Sequence, residues 1–276
     1  MKTNKRFGMI LIVGIMLAGT VTLSFTACNK SGGSTSGSSS SGGPTNWTPV
    51  ADSTFGSSRI NAIAYGNNRF VAGGLGGRIA YSANGATWTR VSDSKFGTQI
   101  VDIINDIAYG ASNFVAVGQG IFGSYGIGRI TYSTDGATWG AVVDSKINTG
   151  IRGDSTFGED NGITAIAWGG NRFIAGGTNG KMAYSTDGTT WTAVADSPFP
   201  STNSSGDSYF IAAIAYGNNR FVVVGEEGKM AYSTDGAKWI AVPNNTFNGY
   251  DIRGIAYGNG RFVAVGEDGK MAYADW

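Results

Sequence analysis

From residue 60 onward the chain alternates short apolar runs with polar, glycine-bearing breaks, and the order of the runs recurs five times. The first run reads Ile60–Tyr65, Ile104–Tyr109, Ile163–Trp168, Ile211–Tyr216 and Ile252–Tyr257. A Gly-Asn-Asn-like break leads to the second, Arg69–Gly73, Asn113–Gly118, Arg172–Gly176, Arg220–Gly225 and Arg261–Gly266. The third is Arg78–Tyr81, Arg129–Tyr132, Lys181–Tyr184, Lys229–Tyr232 and Lys270–Tyr273, and a fourth starts at Trp88, Trp139, Trp191 and Trp239. Apolar runs of about 4–8 residues bounded by turn formers predict β-strands. A helix needs a longer run of 3.6-residue periodicity, and no segment beyond the N-terminal apolar stretch supplies one.

The third and fourth runs are joined by Ser133-Thr134-Asp135-Gly136-Ala137-Thr138-Trp139 in one repeat. The same stretch returns as Ser185–Trp191 and Ser233–Trp239, and as Ser82–Trp88 with Asn84 in place of the aspartate. An Asp-Gly or Asn-Gly pair between apolar runs predicts a hairpin tip, because the turn needs positive φ that these residues tolerate. The tryptophan after each tip is a large apolar plate for packing one sheet on the next.

Tryptophans mark the period: Trp47, Trp88, Trp139, Trp191, Trp239 and Trp276 lie 41, 51, 52, 48 and 37 residues apart. Four antiparallel strands repeated at about 40–50 residues predict a β-propeller. The last repeat stops at Trp276 without a fourth strand, and Trp47-Thr48-Pro49-Val50 is a fourth strand without a repeat of its own. The expected fold is therefore all-β: a five-bladed propeller of four-stranded blades over residues 46–276. Its ring would be closed by strand 47–50 completing the last blade, where an edge position tolerates Pro49.

The hairpin-tip stretches at 133–139, 185–191 and 233–239 resemble the Asp-box, or bacterial neuraminidase, repeat Ser-x-Asp-x-Gly-x-Thr-Trp, with one residue fewer between Asp and Gly. The resemblance implies a sialidase-like propeller in which the motif is a folding element on the face away from the active site. Asp135, Asp187 and Asp235 are then turn caps, in keeping with the tendency of Asp side chains to bond their own turn backbone. Sialidase chemistry does not follow. Arg69, Arg172, Arg220 and Arg261 recur at one framework position, which leaves Arg59, Arg152 and Arg253 near the variable loops, and there is no Arg-Ile-Pro motif.

Up-and-down strands put the first-to-second turns and the hairpin tips on one face, and these vary little between repeats. The second-to-third turns and the crossings between blades share the other face, and they vary: Gln119–Gly128 stands against Glu226-Glu227, and the crossings include Asp144–Gly162 and Ala195–Phe210. Variation collected on one face of a repeat protein points to its binding side. Candidate ligand-binding residues around the channel mouth are Arg59, Asp106, Asp160, Tyr209, Asp251 and Arg253, with Asn61, Asp102, Tyr125 and Tyr250 nearby. Acids, arginines and tyrosines suit a sugar or a polar peptide, because rings stack on apolar faces and acids accept hydroxyl protons. Gly118-Gln119-Gly120-Ile121-Phe122-Gly123 matches a dinucleotide fingerprint by letter, but lacks the following helix that gives the motif its chemistry.

The N-terminus changes the setting. Lys2, Lys5 and Arg6 precede an apolar run from Phe7 to Phe25 and then Thr26-Ala27-Cys28, the order of a secretory signal. The segment resembles a bacterial lipoprotein signal, which implies cleavage after residue 27 and a lipid on Cys28. An uncleaved membrane anchor is the alternative for an apolar run of about this length. Residues 28–45, almost entirely Ser, Gly and Thr, form a tether that cannot bury enough surface to fold. By the same resemblance, Asn29 after the cysteine favours the outer membrane or cell surface.

Removing residues 1–27, which hold three basic and no acidic residues, leaves 17 Lys+Arg against 19 Asp+Glu. That near-neutral balance lacks the basic footprint of a nucleic-acid binder. The chain has no histidine and Cys28 is its one cysteine, so Ser-His-Asp and Cys-His nucleophiles, His-ligated metals and disulfides are excluded. The sequence thus predicts a monomeric, lipid-anchored propeller of the cell envelope that binds a glycan or a protein without cofactor, metal or catalytic residues. The alternative is a glycoside hydrolase using channel-mouth carboxylates such as Asp106, Asp160 and Asp251, held about 5 Å apart for retention or roughly 6.5–9.5 Å for inversion.

Overall fold

The computed structural model describes residues 47–122, 125–142, 157, 162–243 and 245–276. The proposed signal and tether, residues 1–45, lie outside the described residues, as do Cys28, Arg152 and Asp160.

Among the described residues, all regular structure apart from one 3-10 turn at Glu226–Gly228 is β. The first sheet holds β1 (Ile60–Gly66), β2 (Arg69–Gly74), β3 (Ile79–Ser82) and β4 (Thr89–Arg90). The second holds β5 (Ile103–Gly110), β6 (Asn113–Phe122), β7 (Tyr125–Ser133) and β8 (Gly140–Ala141), and the third β9 (Ile163–Gly169), β10 (Arg172–Gly177), β11 (Met182–Ser185) and β12 (Thr192–Ala193). The fourth holds β13 (Ile211–Gly217), β14 (Arg220–Gly225), β15 (Met230–Ser233) and β16 (Ile240–Ala241), and the fifth β17 (Ile252–Gly258), β18 (Arg261–Gly266) and β19 (Met271–Asp275). Every sheet is an antiparallel meander in chain order. The fourth strand is only two residues long where present, because it is an exposed edge.

Each sheet is a blade, and successive blades pack first strand on first strand, β1 on β5, β5 on β9, β9 on β13 and β13 on β17. The core is the set of layers between blades. Val71, Ile79, Phe96, Ile104, Phe114 and Trp139 form one such layer. A phenylalanine in the crossing before each blade, Phe55, Phe96, Phe157, Phe199 and Phe247, is buried at 0–6% exposure. Burial of one such ring is worth roughly 1.5–3 kcal/mol. Arg78 donates to the Phe55 carbonyl at 2.6 Å and Arg129 to that of Phe96 at 2.7 Å, tying two of these crossings to the third strands.

The hairpin tips form as expected. Asp135 Oδ1 accepts the backbone N–H groups of Ala137 and Thr138 at 2.8 and 2.7 Å, Ser133 Oγ accepts that of Gly136, and Trp139 Nε1 donates to the Gly136 carbonyl. Gly136 sits at φ +74°, where a side chain is disfavoured. The recurrent arginines are framework: Arg69, Arg172, Arg220 and Arg261 stack over Tyr81, Tyr184, Tyr232 and Tyr273 at 4.6–5.9 Å.

Among the described residues, the strand expected to close the ring is not seen. Residues 47–50 are exposed, Trp47 at 94%, and belong to no strand, and the fifth sheet has three strands. For 47–50 to reach β19, the fifth blade must lie against the first. The described residues show no packing of β17 on β1 like that between successive blades. Residues 119–122 and 125–128 also differ from expectation: they extend β6 and β7 as paired strands rather than a loop. The dinucleotide-like letters at 118–122 therefore lie within a strand.

Candidate functional site

Hydrogen bonds assign the two faces. On one, Asn67 Nδ2 and Arg69 Nη1 of the first blade donate to the Thr134 and Asp135 carbonyls of the second blade's tip, and Asn113 clasps Asp187 of the third in the same way. These side chains of the face bond the neighbouring blade. On the other face, the second-to-third turns meet the crossings: Gly77 N–H donates to Asp102 O, Gly180 to Tyr209 O, and Glu267 to Asp251 O.

At the inner edge of this second face, side chains at one repeated position bridge blades. Asn61 Nδ2 donates to Ile104 O at 2.8 Å, Asn105 Nδ2 to Ile163 O at 2.8 Å, and Thr164 Oγ1 to Ile211 O at 2.5 Å. The equivalent residue in the fifth blade is Arg253, and there the chemistry changes. Arg253 Nη2 lies 2.9 Å from Asp251 Oδ2 and 2.5 Å from Glu267 Oε1. Asp251 Oδ1 accepts the Glu227 N–H at 2.8 Å, and Glu226 Oε2 accepts that of Phe210 at 3.1 Å. Three carboxylates, those of Asp251, Glu267 and Glu226, therefore gather around one guanidinium at the boundary of the fourth and fifth blades. The Glu227 carboxylate also accepts the Ser204 N–H from the preceding crossing.

Burial pushes the Glu226 carboxyl above its ordinary range, and the charge of Asp251 adds to this, against the Phe210 N–H and Arg253. The Ser204 hydrogen bond holds Glu227 below its usual range. Burial opposes the charge on Arg253, but the hydrogen bond that it donates to Glu267 and the field of Asp251 outweigh this and raise its pKa. The cluster carries excess negative charge at neutral pH and presents partly exposed oxygens. Beside it a groove of about 460 Å³ is lined by Glu227, Lys229, Pro198, Val242, Asn245 and Asn248. A second groove of about 250 Å³ lies at the equivalent place on the first blade, with Arg78, Arg90, Asp93 and Ile100 in its wall.

Of the residues expected at the mouth, the structure brings Asp251 and Arg253 together. Arg59 is exposed at the start of β1, where its carbonyl accepts the Leu75 N–H. Asp106 is not free to meet a ligand in the expected way: it is 7% exposed, its Oδ1 accepts the Ile107 N–H and its Oδ2 accepts that of Ile166 in the next blade. It staples the bulge of β5 to β9, a position held by Ala or Gly in the other blades. Tyr209, expected on an exposed loop, is fully buried against Phe199 and donates its hydroxyl to Glu226 O at 2.9 Å. Burial, with the charges of Glu226, Asp251 and Glu227, raises its phenol pKa. Asp102 is buried and accepts the Gln99 N–H. Tyr250 is 43% exposed, with Lys270 Nζ 4.7 Å from its ring centroid.

Glu226 and Glu267 escaped selection in the sequence. Each sits in a second-to-third turn, and only the unusual Glu-Glu pair at 226–227 signalled one of them. Among the described residues no group of three His, Cys, Asp or Glu side chains is arranged to hold a metal ion.

No family model matches the sequence, and no curated protein matches it. Solved structures do. YCF48 bound to a D1 peptide is similar with a TM-score of 0.52 and 14% identity, over 79% of this chain and 66% of that one. YCF48 from Cyanidioschyzon merolae gives 0.51 and 19%, over 79% and 69%. An ancestral GH74 enzyme gives 0.51 and 18%, over 77% of this chain and 28% of that one. The chain thus spans about two thirds of the YCF48 proteins and little more than a quarter of the enzyme. The fold is that of a β-propeller. At such identities the likeness establishes architecture alone.

Proposed function

We propose that this chain is a non-enzymatic binding propeller of the cell envelope that captures a polar, basic peptide segment of another protein on its variable face. The observation that carries this reading is the Glu226–Asp251–Arg253–Glu267 cluster. It stands on the face whose loops differ between blades, whereas on the opposite face Asn67, Arg69 and Asn113 hold blades together. Carboxylates in excess over one arginine favour a cationic partner, and the adjoining groove is large enough for several side chains. A propeller of similar fold bound to a peptide supports the reading. The lipid on Cys28, the tether over 28–45 and the envelope location belong to the same proposal and rest on the sequence.

The test is a peptide and glycan array probed with the tagged full chain and with a variant carrying Glu226→Gln, Asp251→Asn and Glu267→Gln. These amides keep the oxygen acceptors for Phe210 and Glu227. Selective capture of Lys- or Arg-bearing peptides, reduced at least about tenfold in the variant, is the expected result; each lost charge-assisted hydrogen bond is worth roughly 1.5–3 kcal/mol. Capture that is unchanged, or that maps to the hairpin-tip face, overturns the proposal, and capture of glycans alone replaces the ligand class. Radiolabelled palmitate incorporation that disappears in Cys28→Ser tests the anchor.

One observation favours glycoside hydrolysis as a second reading: Glu226, held toward its protonated form by burial, stands within the field of the Asp251 carboxyl. A carboxyl raised by burial beside a second carboxyl is the general acid of such enzymes. Turnover of aryl glycosides that is lost in Glu226→Gln would establish it.

A further inference from the structure

Successive blades are joined by one recurring contact. The aromatic ring that ends the first strand of a blade lies on the glycine that ends the first strand of the blade before it. Tyr109 lies on Gly66, Trp168 on Gly110, Tyr216 on Gly169 and Tyr257 on Gly217, so closely that a Cβ on any of these glycines would stand under 3.0 Å from the ring. A second contact sets the hairpin-tip glycine of each later blade on the second strand of the blade before, Gly136 on Val71, Gly188 on Val115 and Gly236 on Ile174.

Among the described residues, both halves of this joint stand unpartnered, one on the first blade and one on the fifth. Gly258 offers the notch, with nothing within 4 Å of where its Cβ would be. Tyr65 offers the ring, 57% exposed, and it is already posed, 4.7 Å from Phe70 as Tyr109 is from Phe114. The surrounding surface is apolar on both sides: Ile60 is 45% exposed on the first blade, and Val265, Met271 and Tyr273 are 39%, 68% and 68% exposed on the fifth. Contiguous exposed apolar surface of this kind marks an interaction site. Its complement is known, because each end face has the shape that its counterpart meets four times within the chain. Among the described residues, the two faces do not pack on each other within one chain.

We infer that the fifth blade of one chain receives the first blade of a second copy, with Tyr65 of the one seated on Gly258 of the other. The interface is heterologous, so it propagates head to tail until the rotation closes. This replaces the monomer expected from the sequence.

The test uses the full chain carrying Cys28→Ser, which removes its one native cysteine. Two further variants of it, Tyr65→Cys and Gly258→Cys, are tagged differently, mixed and oxidised. In the three internal tyrosine joints the ring Cγ stands 2.0 Å from the glycine's Cβ position, so the two Cβ atoms of a docked pair come within about 3.5 Å, and a small outward shift gives the separation of a disulfide. A disulfide between the two tagged chains, and a light-scattering mass at least twice that of one chain, are expected. Gly258→Val should abolish the association while leaving circular dichroism unchanged, since the site is open in the single chain. A monomeric mass at high concentration, association that Gly258→Val leaves intact, or a disulfide formed only inside a chain carrying both cysteines would each overturn the inference. The last would mean that the ring closes on itself.

Discussion

The ring of Tyr109 lies so close over Gly66 that no Cβ fits between them. Four such pairs, one per blade joint, set how near each first strand comes to the next, and with it the pitch of the whole array. A glycine here has no unusual φ to satisfy; what is required is the close approach.

Adding the missing carbon should therefore be costly at an occupied notch and harmless at an empty one. Gly110→Ala, under Trp168, is expected to destabilise the protein by about 1–3 kcal/mol, the range for overpacked cores. Gly258→Ala is expected to stay within about 0.5 kcal/mol at dilutions where single chains are separate, as for an uncrowded surface change. Urea unfolding of the two variants checks this; equal effects would show that the notches are not what sets the joint.

The hairpin tips give a second prediction. Asn84 Oδ1 accepts the Ala86 and Thr87 N–H groups at 2.9 Å, in the arrangement that Asp135 makes with its own tip. An amide oxygen thus suffices. Asp135→Asn should cost less than about 0.5 kcal/mol and Asp135→Ala about 1–2 kcal/mol, the penalty for losing a side-chain cap. The charge appears only in acid. Burial raises the Asp135 pKa, but the Thr138 and Ala137 N–H groups and the Ser133 hydroxyl overcome this and lower it from 3.8. Asp235 is lowered chiefly by the Lys238 N–H. A lowered pKa gives stability that is present above 3.8 and lost as pH falls through the folded value. Replacing Asp135, Asp187 and Asp235 together by Asn should flatten the stability profile below pH 4, measured by thermal melting from pH 2 to 7.

How much of this was legible beforehand depends on the range over which each feature is encoded. Strand order and hairpin tips are local, so the repeats of Ser-Thr-Asp-Gly and of Ile-x-Ala-Ile-Ala-Tyr exposed them, and the face assignment followed from strand direction alone. The latter survives the absence of ring closure for that reason. Closure is a long-range matter: Trp47-Thr48-Pro49-Val50 has the letters of a fourth strand, but letters do not fix the angle between blades. The site was half legible. Asp251 and Arg253 stood out by departing from the repeat, whereas Asp106 departed from it equally and proved to be a staple between β5 and β9. Tyr209 looked like a loop residue, and nothing in its neighbours announced that Phe199 would cover it.

The tryptophans separate these two kinds of encoding. Trp191 is 3% exposed in the layer between the second and third blades, and Trp47 is 94% exposed. Trp191→Ala should cost about 3–5 kcal/mol, as for large-to-small changes in a core. Trp47→Ala should stay within about 0.5 kcal/mol. Thermal unfolding of both decides it, and a large loss from Trp47→Ala would show that 47–50 does pair with the last blade in solution.

Glu226 yields the last prediction. Burial is the main reason its carboxyl is raised above 4.5, and Asp251 adds to it; the Phe210 N–H opposes but does not cancel them. A raised carboxyl pKa means that the folded protein holds this proton more tightly than the unfolded chain does. Its contribution is thus most favourable below the unfolded value, falls as pH rises from about 4.5 through the folded pKa, and is unfavourable at neutrality. Glutamine keeps an oxygen for Phe210 and removes the buried charge. Glu226→Gln should therefore be more stable than the parent at pH 7 and indistinguishable from it near pH 3.5, where the parent carboxyl is protonated in both states. The same proton governs capture of a cationic peptide, which should weaken in the parent as pH drops through the raised value and stay flat over that window in the variant. Urea titrations and peptide binding at the two pH values check both halves. A variant less stable than the parent at pH 7 would mean that the ionised carboxylate is held by contacts stronger than its burial cost.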